Sequence, residues 1–116
     1  MAKKVLVVDD DKEVLAVIRD MLEDLGCDVR GVCSPTEALV TLATDPSVGI
    51  LISDINMPVT GFELAEKVRQ IRPDVKVWLL SGRAGPDETK GYPVIRKPFT
   101  QADLADVMDV AGFGQK

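Results

Sequence analysis

The sequence predicts a single α/β domain on a doubly wound parallel sheet of five strands, in the order 2-1-3-4-5. Three observations carry this expectation. Short apolar runs alternate with amphipathic helical stripes along the whole chain. The first, third and fourth runs are nearly uninterrupted, as strands covered on both faces require. The second alternates with polar residues and the fifth begins with proline, which suits the two sheet edges.

The elements follow in order. Val5-Leu6-Val7-Val8 is the first strand. Val14, Leu15, Ile18, Met21, Leu22 and Leu25 fall on one face of a helix that ends at Gly26. Asp28 to Val32 is the second strand. Ser34-Pro35-Thr36-Glu37 forms a capping box with proline at the first helical position, ahead of Ala38, Leu39, Leu42 and Ala43. Gly49-Ile50-Leu51-Ile52 is the third strand, ending at Ser53, and Leu64, Ala65, Val68 and Ile71 make a helical stripe stopped by Pro73. Val75 to Leu80 is the fourth strand and Pro93-Val94-Ile95 the fifth. Thr100 and Asp103 cap a last helix bearing Leu104, Val107, Met108 and Ala111. No repeat, linker or low-complexity tract interrupts the pattern, so residues 1–116 read as one domain.

Composition narrows the function. A chain of 116 residues buries roughly two-thirds of its unfolded surface and folds without metal or disulfide. A net charge of −5 with scattered Lys and Arg argues against nucleic-acid binding. No apolar run approaches the roughly 20 residues of a membrane span, and no signal peptide opens the chain, so a cytoplasmic location is expected. Cys27 and Cys33 bracket a strand that holds them about 20 Å apart, too far for a disulfide. The chain has no histidine. Catalysis through Ser-His-Asp or Cys-His, imidazole metal ligation and phosphohistidine formation on this chain are therefore excluded.

What remains is oxygen and amine chemistry, gathered where parallel strands end. The first strand delivers Asp9, Asp10 and Asp11; the third delivers Asp54, then Ile55-Asn56-Met57-Pro58. The fourth delivers Ser81-Gly82 and the fifth, after Arg96, Lys97-Pro98-Phe99. These ends converge on one rim, at the switch point between the first and third strands. Three carboxylates there are costly unless a cation or proton joins them. Oxygen donors alone select a hard cation, Mg²⁺ above others. A carboxylate beside such a cation, a hydroxyl and a lysine is equipped to accept a phosphoryl group. Asp54 is the candidate nucleophile, Asp9 and Asp10 the metal-holding pair, and Asp11 a helix cap.

Taken together, Val7-Val8-Asp9-Asp10, Asp54-Ile55-Asn56-Met57-Pro58, Gly61, Ser81-Gly82 and Lys97-Pro98-Phe99 resemble the receiver domain of two-component response regulators, the CheY-like family, over nearly the whole chain. The resemblance implies a flavodoxin-like fold and an Asp54 that accepts a phosphoryl group from a partner's phosphohistidine. It implies Mg²⁺ held by Asp10, Asp54 and the Asn56 carbonyl, and by Asp9 largely through water. Ser81 and Lys97 would contact the phosphoryl group, with Pro58, Gly61, Gly82 and a cis Pro98 shaping the site. The partners implied are a sensor histidine kinase or histidine phosphotransfer protein and a downstream protein target, with neither nucleic acid nor membrane. The domain would signal rather than turn over a substrate, beyond its own phosphorylation and dephosphorylation.

Three departures qualify the resemblance. The family's aromatic switch position, three residues before Lys97, is Val94, and Tyr92 lies two residues earlier. The stretch from Gly82 to Arg96 holds fifteen residues, short by roughly a turn and a half of helix. Its only helical candidate, Pro86 to Lys90, lacks an apolar stripe, so the helix between the fourth and fifth strands is expected to be shortened or missing. That feature also resembles receivers attached to hybrid histidine kinases. The Asp54–Gly61 loop is one residue shorter than the family's common form, with the deletion falling after Asn56. Met1-Ala2-Lys3-Lys4 opening directly onto a strand favours a free-standing protein, and the short tail after Met108 carries no effector.

Other functions on the same frame fit less well. An aspartyl-phosphate hydrolase needs a second acid/base carboxylate close after the nucleophile and a cap, but Asn56 stands in the near position and no length is left for a cap. A flavodoxin-like cofactor binder needs backbone N–H groups and hydroxyls after the first strand, where Asp9-Asp10-Asp11 would repel phosphate. A receiver that binds partners without phosphorylation would not need its acidic pair, Asp54, Ser81 and Lys97 intact.

Overall fold

The computed structural model describes residues 4–54, 61–81, 94–96 and 100–110, with backbone alone for residues 61, 62, 81, 94, 96 and 108–110. The element order is β1 (Lys4–Val8), α1 (Lys12–Asp24), β2 (Asp28–Val32), α2 (Pro35–Thr44), β3 (Val48–Asp54), α3 (Gly61–Ile71), β4 (Lys76–Ser81), β5 (Val94–Arg96) and α4 (Gln101–Val110). All strand pairs are parallel, in the order β2-β1-β3-β4-β5. Position 82 to position 93, where a shortened helix was expected, lies outside the described residues. None of the described helices is long and apolar enough to cross a membrane.

The continuous apolar runs are explained by a core on each face of the sheet. Leu6, Val8, Leu51, Val77 and Leu79 pack with α2 and α3 through Ala38, Leu42, Leu64, Ala65 and Val68. Val5, Val7, Ile50, Ile52 and Leu80 pack on the other face with Leu15, Ile18, Leu22, Leu104 and Val107 of α1 and α4. Successive residues of one strand thus serve opposite cores, and neither parity is free to be polar.

The helix ends obey local chemistry. At the end of α1, Gly26 has φ 90°; its N–H reaches Glu23 O at 2.9 Å and the Cys27 N–H reaches Leu22 O at 3.0 Å, the paired bonds of a Schellman cap. Ser34 Oγ accepts from the Glu37 N–H at 3.2 Å ahead of Pro35. The Thr100 N–H donates to Asp103 Oδ2 at 2.8 Å and the Asp103 N–H to Thr100 Oγ1 at 3.2 Å, a reciprocal box starting α4. Cys27 and Cys33 flank β2 as free thiols, and burial pushes the Cys27 thiol up, which keeps it unreactive.

Four expectations about individual residues are corrected. Ile71 is 47% exposed, because the inward stripe of Leu64, Ala65 and Val68 continues at Arg72 instead. The Arg72 guanidinium donates to the carbonyl oxygens of Leu42, Asp45 and Val48 at 2.9–3.1 Å and to both Asp74 carboxylate oxygens. Ala43 is exposed, and Thr41 takes the buried place, its hydroxyl donating to Glu37 O at 2.9 Å. Asp54 and Ser81 are the last residues of their strands rather than the first beyond them, because ladder pairing carries through Asp54↔Leu80 and Ser81↔Arg96.

The foot of the sheet is held by polar contacts. Lys4 Nζ bonds Asp45 Oδ2 at 2.8 Å and the Lys4 N–H donates to Ser47 O at 3.0 Å. Between Lys4 and Val5 the pairing with β3 skips Gly49, so Lys4 faces Val48 but Val5 faces Ile50.

Candidate functional site

β1 and β3 are neighbours, with Val8 level with Ser53, so the residues next along each strand, Asp9 and Asp54, emerge side by side at the carboxyl rim. Asp9 is fully buried, and its N–H extends the ladder to Val32 O at 3.3 Å. One of its oxygens, Oδ1, accepts the Asp11 N–H at 2.9 Å. Asp54 is 6% exposed. Asp10 projects into solvent. One carboxylate oxygen from each of Asp9, Asp10 and Asp54 lies within 4.8 Å of the other two.

Asp11 has the capping role expected of it. Its Oδ1 accepts from the Glu13 N–H at 2.9 Å and the Val14 N–H at 3.4 Å, starting α1. One residue was overlooked in the sequence. Ser53 is fully buried, and its hydroxyl donates to the Asp54 carbonyl oxygen at 3.1 Å. The available signal was a hydroxyl closing the otherwise apolar run Ile50-Leu51-Ile52, where an unpaired polar group would be costly.

Ser81 ends β4, one residue beyond the Asp54↔Leu80 pair, and Gly61 opens α3. Val94 starts β5 opposite Leu79. Asn56, Pro58, Gly82, Lys97 and Pro98 lie outside the described residues.

Electrostatics decides what this cluster can do. Two buried carboxylates and a third close by repel one another, so the arrangement favours a bound cation. The donors are all carboxylate oxygens, and the Asp10 side is open to water. This combination fits Mg²⁺, which prefers a few carboxylates and keeps several waters. When bound, such an ion offsets the clustered charge and polarises phosphoryl oxygens.

Comparison with known proteins agrees with this geometry. The family model described as response regulator receiver domain matches residues 5–109. The chain is 29% identical over 114 residues to the response regulator receiver protein CpdR of Brucella abortus, covering 92% of this chain and 94% of that protein. It is 34% identical over 105 residues to the C4-dicarboxylate transport transcriptional regulatory protein DctD of Rhizobium meliloti, covering 84% of this chain but only 23% of DctD. Among solved structures, the chemotaxis response regulator CheY4 of Vibrio cholerae superposes with a TM-score of 0.86 at 28% identity, covering 96% of this chain and 99% of CheY4. A receiver domain protein from Clostridium thermocellum gives 0.85 at 30% identity, over 94% of this chain and 93% of that one. The chain belongs to the CheY-like response regulator receiver domains, the phospho-accepting signalling modules of two-component systems.

Proposed function

We propose that Asp54 is the phosphoacceptor and that residues 1–116 act as one receiver switch. The observation that carries this is the placement of Asp54: a nearly buried carboxylate ending the central β3 within 4.8 Å of the Asp9/Asp10 pair. A carboxylate oxygen of Asp54 attacks phosphorus, the P–N bond of a phosphohistidine breaks, and the electron pair leaves with the imidazole. Because this chain has no histidine, that imidazole belongs to another domain or chain, a sensor histidine kinase or a histidine phosphotransfer protein. Asp9, Asp10, Asp54 and the Asn56 carbonyl hold Mg²⁺. Ser81 and Lys97 contact the phosphoryl oxygens, and Pro58, Gly61, Gly82 and Pro98 shape the loops around them. A cytoplasmic location and a downstream protein target complete the proposal.

The fifth strand carries Val94 where an aromatic switch would stand, so output does not run through rotation of an aromatic ring at that position. The test is labelling with acetyl phosphate or a phosphorylated kinase in the presence of Mg²⁺. Wild type should form a hydroxylamine-labile adduct that mass spectrometry maps to Asp54, and Asp54→Asn should not. Normal labelling of Asp54→Asn would sink the assignment.

A further inference from the structure

The buried Asp9 carboxylate of the acidic cluster accepts a hydrogen bond from a residue that lies outside the cluster. Asp11 is exposed, and it is not among the three carboxylates that converge. Its backbone N–H donates to Asp9 Oδ1 at 2.9 Å. Its carbonyl oxygen accepts the Leu15 N–H at 3.0 Å, and its side-chain Oδ1 accepts from the Glu13 and Val14 N–H groups. With φ −92° and ψ 109°, it is the extended N-cap from which α1 begins. One residue therefore joins the first turn of α1 to the orientation of Asp9. If that turn frays, the Asp11 peptide loses its fixed direction, and Asp9 Oδ1 loses this donor.

We propose that Asp11 is a positioning residue: by capping α1 it fixes the Asp9 carboxylate and so sets the affinity of the cluster for a divalent cation. This rests on the cation reading given above. Apparent affinity falls by the fraction of molecules in which the binding-competent arrangement is populated. Removing the cap therefore weakens binding without removing any ligand. The side-chain charge of Asp11 is not what matters; its acceptor is.

The test is titration of the metal-free protein with Mg²⁺ by calorimetry, at fixed pH and ionic strength. Asp11→Asn and Asp11→Ser keep a strong N-cap acceptor and lose the charge; both should bind within about twofold of wild type. Asp11→Ala should bind more weakly, by up to about fivefold, the equilibrium factor of a typical cap. Asp11→Gly should fall between, which keeps the ranking testable if the alanine variant folds poorly. Hydrogen exchange at Glu13 and Val14 should rise in the same order. Equal weakening of Asn, Ser and Ala variants would show that charge acts instead, and unchanged binding in Ala and Gly would show that α1 needs no cap to hold Asp9; either overturns the proposal. Absence of Mg²⁺ binding by wild type would instead remove the cation reading itself.

Discussion

Replacing Asp54 by Asn should make the metal-free protein more stable while abolishing its phosphorylation. The perturbation keeps the shape of the side chain and removes one of two buried negative charges. Oxygens of Asp9 and Asp54 lie within 4.8 Å, a separation at which unit charges repel by about 3 kcal/mol at an effective dielectric constant near 20. Counter-ions gathered at the open Asp10 side reduce this, leaving a net gain of about 1–3 kcal/mol. With a urea slope of about 2 kcal/mol/M, the unfolding midpoint in EDTA should rise by about 0.5–1.5 M. Trp78, half-buried in β4 against the α1/α4 core, reports the transition. Mg²⁺ binds the folded state, so it should raise the wild-type midpoint and raise that of the variant less. Added NaCl should narrow the difference between the two proteins in EDTA. A midpoint for Asp54→Asn at or below wild type in EDTA, or equal stabilisation of both by Mg²⁺, would refute the account of the site as a strained carboxylate cluster.

Three further outcomes concern the foot and edge of the sheet. Arg72→Ala should cost about 2–4 kcal/mol in urea unfolding, since it strips donors from the Leu42, Asp45 and Val48 carbonyls together; Arg72→Lys should recover less than half, because a single ammonium cannot span that fork. The Asp45 carboxyl is held well below the usual carboxylate range, first by its hydrogen bond from Lys4 and then by those from Ser47. A depressed folded value gives stability that is complete above about pH 4 and declines as pH falls further, so the advantage of wild type over Asp45→Asn should be full at neutral pH and shrink below about pH 4. Gly31→Ala should destabilise by about 1 kcal/mol, because its Cβ would meet Leu15 side-chain atoms at 3.1 Å and the clash outweighs the gain in strand propensity; an unchanged urea midpoint would mean that Leu15 can turn aside.

The fold was legible wherever one physical rule acted alone. Continuous apolar runs marked the central strands because both of their faces are buried, and caps marked α2 and α4 because orphan N–H groups need acceptors. Reading failed where a polar residue took an apolar residue's place. Arg72 fills the inward position that periodicity assigned to Ile71, and Thr41 satisfies its own hydroxyl and displaces Ala43. Both need knowledge of a partner carbonyl, which spacing does not supply.

The convergence of Asp9, Asp10 and Asp54 at the strand ends was legible in the sequence, but the register that sets Asp9 level with Asp54 was not, and the reason lies far from the site. Residues level with each other on neighbouring strands share a face of the sheet. Val5 and Val7 share theirs with Ile50 and Ile52, and Asp9 and Asp54 continue those two parities. A strand apolar on both faces accepts a one-residue slip with little loss of burial, so β1 and β3 specify their own register weakly. The skipped Gly49 supplies the missing specification. Without that shift Val5 would face Gly49 and Asp9 would come level with Ser53, leaving Asp54 on the opposite face and the cluster undone. The shift is pinned at the foot of the sheet by Lys4 on Asp45 and Ser47 and by Arg72 on Val48 O. The contacts that bring Asp54 beside Asp9 and Asp10 therefore sit at the far end of the strands that carry them, among residues outside the site.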